Sequence, residues 1–167
     1  TKCKMLKTVI VFLKSNSKQY NMKPFLYTII LTILTVFSGP MLVAQEKFDA
    51  EIVSDLQKTK QFAFGVSEER HFRGVLNLYD KLLASGVEIT DYEIVAKGKF
   101  VKNLVKGSEL EDLYEEYKGK VRVSVCSVAM KKLGVSEDQL ISGMEPVATW
   151  TVRVLQLQAK GYNVLTY

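Results

Sequence analysis

Beyond residue 60 the apolar positions of this chain switch repeatedly between short buried-strand runs and the three-and-four spacing of a helix face. Residues 60–66 carry Phe62, Ala63, Phe64 and Val66 and predict a strand. Residues 69–84 place Phe72, Val75, Leu76, Tyr79, Leu82 and Leu83 on one helical stripe, which Ser85-Gly86 closes. A second strand over 92–96 and a short helix over 99–105 follow. Gly107-Ser108 breaks the pattern, and Ser108 is of the type that caps the helix expected over 109–117. The acids Glu109, Glu111 and Asp112 suit the positive end of that helix. Residues 121–126 predict a third strand and 127–133 a helix ending at Gly134. Ser136-Glu137-Asp138-Gln139 has the form of a capping box that opens one more turn. A short strand over 145–148, a helix over 151–160 and a last strand over 162–166 complete the series. Residues 46–59, with Phe48, Ile52, Val53 and Leu56, read as a short arm or helix laid on the core.

Strands separated by helices predict an α/β domain with a mainly parallel sheet. Sites in such sheets gather at the carboxyl ends of strands. Cys126 stands at one such end, and the loops after Val66 and Ala96 leave two others. The sequence contains no internal repeat and no low-complexity tract.

The front of the chain follows a different logic. Residues 1–45 hold six lysines and no acidic residue. From Met22 a basic start leads into an apolar run over 25–37, a Ser38-Gly39-Pro40 break, and Leu42-Val43-Ala44-Gln45. That is the layout of a secretory signal peptide, with cleavage expected near Ala44 or Gln45. An uncleaved anchor is the other reading, although the run is short of the roughly 20 residues a span needs. Residues 1–21 then form an upstream extension, 46–59 an N-terminal arm and 60–167 the domain proper. The expected location is the periplasm or the outside of the cell, with membrane contact only through the export signal.

This division changes the charge. The whole chain carries +5, but without the six leader lysines 17 basic residues face 18 acidic ones, a net charge of −1. The basic balance therefore belongs to the leader, and no basic stripe with interleaved aromatics supports nucleic-acid binding. Cys3 lies in the leader, so Cys126 is the single thiol of the expected product and has no intramolecular disulfide partner. It is buried and inert, paired between chains, or reactive.

A sulfur at a strand-to-helix switch sits where the amides of Ser127, Val128 and Ala129 and the helix dipole can stabilise a thiolate. A small buried hydrophobe is the plainer account of such a cysteine. His71, the one histidine, starts the first long helix and could pair with Cys126 across the rim, or simply be a solvated residue of that first turn. Trp150 follows a short strand and could line a pocket beside Cys126, or pack in a core or subunit contact. Ser127 completes the pocket candidates. One cysteine and one histidine fall short of the roughly four ligands of a structural zinc site, so no metal is expected. No Gly-rich phosphate loop or GxSxG elbow is present, and no organic cofactor is expected.

The order of segments in the second half is distinctive. A strand ending in Cys126 and a short helix precede Leu133-Gly134-Val135-Ser136-Glu137-Asp138-Gln139-Leu140. Gly143-Met144-Glu145-Pro146-Val147 and Leu155-Gln156-Leu157-Gln158-Ala159-Lys160-Gly161-Tyr162 follow. This series resembles the DsrE/DsrF-like sulfur-relay family over residues 60–167, most strongly from Val121 onward. The resemblance implies a three-layer α/β/α sandwich with a mainly parallel five-stranded sheet, and homotrimers or hexamers. It also implies sulfur transfer through a cysteine persulfide, a position that only Cys126 matches. The chain departs from that pattern in its export signal, and in Thr149-Trp150 where many relatives have a Pro-Ser-Gly-Val-like turn.

The expectation is a periplasmic sulfur carrier or sulfur-transfer/redox protein with Cys126 as persulfide site. Its partners would be a sulfur donor or acceptor protein or a small thiol. The alternative is a non-catalytic oligomeric module that binds a small ligand or partner around Cys126 and Trp150. A thiol hydrolase or reductase is a third option, without a second cysteine to resolve a disulfide.

Overall fold

The structure, a computed structural model, describes residues 47–167. The leader, its proposed cleavage point and Cys3 lie outside the described residues. Helix α1 (Ala50–Leu56) precedes strand β1 (Gln61–Val66), helix α2 (Glu69–Ala84) and strand β2 (Asp91–Ala96). A 3-10 helix (Gly98–Asn103), helix α3 (Leu110–Glu115) and strand β3 (Arg122–Cys126) come next. Helix α4 (Ser127–Leu133), a 3-10 turn (Glu137–Gln139), strand β4 (Met144–Val147), helix α5 (Trp150–Ala159) and strand β5 (Asn163–Thr166) follow.

The five strands form one sheet in the order β4-β3-β2-β1-β5, and every pairing is parallel. From β1 to β4 the chain moves one strand at a time in one direction. It then returns across the whole sheet to lay β5 beside β1. Because βα crossovers are right-handed, the outward connections share one face and the return connection takes the other. The two cores obey this rule. Phe62, Phe64 and Val66 of β1, Tyr92, Ile94 and Ala96 of β2, and Val123 and Val125 of β3 pack against α2, α3 and α4. On the opposite face Ala63 and Val95 meet Val154 and Leu157 of α5. Helices thus cover both sides of a five-stranded sheet, as expected, and the sheet is parallel throughout.

Local chemistry explains most element boundaries. In α2 the buried positions are Phe72, Val75, Leu76, Tyr79 and Leu82, one stripe at helical spacing. Beneath it the Tyr92 hydroxyl donates to the Val75 carbonyl at 2.7 Å, so the phenol enters the core without an unpaired polar atom. Thr149 caps α5, its Oγ1 accepting from the Val152 amide at 3.1 Å, so this helix starts one residue earlier than the apolar pattern suggests. The Ser136–Gln139 capping box is present and opens a 3-10 turn.

Two local expectations are corrected. The helix expected over 99–105 is a 3-10 helix. Ser108 does not cap α3: its Oγ is buried without a partner. The Glu111 carboxylate instead reaches back to accept from the Gly107 amide at 2.6 Å.

Candidate functional site

Adjacent strands whose following helices leave toward opposite faces open a crevice at their carboxyl ends. Here those strands are β3 and β4. The chain turns from Cys126 into α4 on one face and from Val147 toward α5 on the other, and Cys126 pairs in register with Val147. Strand alternation puts Cys126 on the α5 side, since Val123 and Val125 face the α2 side.

A hollow of about 400 Å³ opens at this point, lined by Lys97, Gly98, Cys126, Val128, Lys132 and Trp150 among others. Cys126 is recessed, 7% exposed, and belongs to neither core cluster. Its backbone occupies the position just before α4 without a side-chain capping bond, which leaves the sulfur uncommitted to the helix end. It is the free cysteine of the described residues.

Trp150 forms part of the wall. Its Nε1–H donates to the Val95 carbonyl at 3.1 Å, and its ring packs against the α5-side core. The indole reaches β1 so closely that a Cβ added at Gly65 would lie 2.5 Å from Trp150 Cζ2. The Lys97 ammonium rests over the same ring, 3.5 Å from its centroid. Trp150 thus lies both against the core and in the lining of the hollow.

The other candidates are placed differently. His71 lies on α2, across the sheet from Cys126, and its ring stacks on Tyr167 with centroids 4.8 Å apart. Its Nδ1 is buried without a hydrogen-bond partner. No Cys126–His71 pair forms. Ser127 is the first residue of α4 but is not among the residues lining the hollow. Lys97 was not singled out from the sequence, whereas Lys132, one turn into α4, is a residue that either supplements thiolate stabilisation or sits in solvent. For Lys97 a signal existed, because it directly follows a strand end already marked as site-forming.

Below the hollow, on the same face, a buried charge cluster ties α5 to the sheet. Glu93 is fully buried, and Arg153 binds it with Nε and Nη2, both at 2.7 Å. The Ser124 hydroxyl donates to it at 2.7 Å, and Arg122 approaches at 2.7 Å. Burial raises the Glu93 carboxyl, yet Arg153, Ser124 and Arg122 together outweigh burial and hold it below the usual glutamate value. Arg122 also meets Asp91 at 2.6 Å, which accepts a short hydrogen bond from the Tyr162 hydroxyl.

A model of the DsrE/DsrF-like family matches residues 67–167. The chain belongs to this family. The DsrE-like match begins just past β1 and takes in Cys126, Lys97, Lys132 and Trp150. A solved structure described as a protein of unknown function, MTH1491 from Methanobacterium thermoautotrophicum, is similar to the chain with a TM-score of 0.58 and 23% identity. The alignment covers 65% of this chain and 100% of that one, and the likeness is one of fold. No curated protein gives a significant match. Among the described residues no helix is long and apolar enough to cross a membrane.

Proposed function

We propose that this DsrE-like protein is an exported sulfur carrier or sulfur-transfer protein in which Cys126 bears a persulfide. Family membership supports the coarser part, a sulfur-relay-type role. The observation that carries the finer part is the position of Cys126 in the β3–β4 crevice, recessed but open to a hollow walled by Lys97, Lys132 and Trp150.

The chemistry needs no external oxidant. A Cys126 thiolate attacks the outer sulfur of a donor persulfide, a new S–S bond forms, and the donor leaves as its thiolate. An acceptor thiolate then attacks the outer sulfur of Cys126–S–SH, and Cys126 departs with the electron pair. One zero-valent sulfur has moved, and every other sulfur ends as it began.

Intact-mass measurement after exposure to polysulfide tests this reading. The expected result is addition in steps of one sulfur, mapped to Cys126 and abolished in Cys126→Ser. Absence of the adduct under conditions that load a control thiol sinks the carrier. If the non-catalytic module is correct, Cys126→Ser keeps ligand binding and there is no transfer to lose.

Export rests on the leader pattern, and a homotrimer or hexamer rests on the family resemblance. Val152 and Leu155, exposed on α5, are apolar positions that such an assembly would cover. Sedimentation equilibrium tests the assembly, and a monomer at micromolar concentration would exclude it.

A further inference from the structure

We propose that the sulfur source taken up at this site is a small inorganic polysulfide anion, selected by the positive charges of Lys97 and Lys132. This deepens the carrier reading and rests on it for the sulfur chemistry, though not for the anion preference. The described lining of the hollow contains these two lysines and no carboxylate. Several other basic side chains are matched to acids: Lys60 to Glu88, Arg73 to Glu69, Lys118 to Glu115, Arg153 to Glu93. Lys97 is held differently. A ring face fixes an ammonium through its quadrupole without supplying a negative charge, so the field of Lys97 stays available to an incoming anion. Trp150 is thus the positioning residue for this cation, and its indole offers a polarizable wall to a chain of sulfur atoms.

Access points the same way. At 7% exposure Cys126 is recessed within a hollow of about 400 Å³. An ion a few atoms long enters such a space, whereas a folded donor would have to present its sulfur on a thin projecting arm. With a trisulfide dianion the Cys126 thiolate attacks a terminal sulfur. One S–S bond forms, the adjacent S–S bond breaks, and the disulfide dianion leaves with the electron pair. Charge and sulfur balance without another reactant.

The test compares alkylation of Cys126 by iodoacetate, an anion, and by iodoacetamide, its neutral analogue. Both report the same thiolate fraction, so their rate ratio isolates the local field. Lys97→Gln and Lys132→Gln should each lower the iodoacetate-to-iodoacetamide ratio by about threefold or more, and Lys97→Arg should restore it. Raising salt from about 20 mM to about 0.5 M should bring the wild-type ratio toward that of the variants. Loading by inorganic polysulfide should slow in parallel with the iodoacetate rate.

A ratio equal to that of a free thiol and unmoved by Lys97→Gln overturns the anion site while leaving the persulfide reading intact. An anion preference without any sulfur adduct does the reverse. Failure of both reagents to reach Cys126 in the folded protein overturns both.

Discussion

Gly65 is required for room rather than for an unusual backbone angle. A methyl group there meets Trp150 Cζ2 at 2.5 Å and Thr166 Cγ2 at 3.0 Å, so Gly65→Ala must push the indole away from β1. The expected cost is about 1–3 kcal/mol in urea unfolding. Trp150 is the single tryptophan of the chain, so its emission should shift to the red as the ring gains water. Unchanged emission and stability would mean that the ring is not held against the strand. At this scale Cys126 was legible in the sequence because a strand run ended on it. Lys97 was marked only by its place after the β2 end; its pairing with Trp150 was not legible, because the two are far apart in sequence and only the folded sheet lays an aromatic face beneath the ammonium. Glu93 was also hidden. In the run Asp91–Ala96 a carboxylate reads as a solvated position, and its two guanidinium partners come from β3 and α5.

Among the described residues helix α5 is the one helix on its face of the sheet, and it is fastened to β2 at two polar points, Trp150 to the Val95 carbonyl and Arg153 to Glu93. Removing one partner of a buried ion pair leaves the other uncompensated. Glu93→Ala should therefore destabilise the fold by ~3–5 kcal/mol and loosen the wall beside Cys126. The pH dependence has a definite sign. The folded-state value of Glu93 is depressed, so its contribution is complete above the ordinary glutamate value of 4.5 and fades as pH falls below it. Glu93→Gln should flatten that acid limb in denaturant titrations, and a limb unchanged by the substitution would assign acid loss to other carboxylates. The elements themselves were readable because α2 repeats one helical period without interruption and β1 is an unbroken buried run. Ser108 is of a residue type that favours caps, but here Glu111 holds the loop instead.

Strand order is the property of the whole molecule that local pattern does not contain. Alternating strands and helices imply a parallel sheet, but they do not say that β5 returns to the far side of β1. That return carries Tyr167 to α2, where it stacks on His71, and leaves His71 across the sheet from Cys126. The charge of the whole molecule carries a further prediction. If the leader is removed near Ala44 or Gln45, the isolated product should lose its excess of positive charge and focus well below the pI of 9.1 given by the full sequence. Intact mass and isoelectric focusing of the secreted material check this, and a product that still carries residues 1–45 would mark an anchor. The pairing of Phe62 with Asn163 adds a temporal constraint. A chain emerging from a ribosome or a translocation channel exposes one side of β1 until residues 163–166 arrive. The surroundings of Gly65, with Trp150 on one side and Thr166 on the other, can therefore be completed only after the last residues of β5 have been made, which leaves the wall beside the thiol unfinished until then.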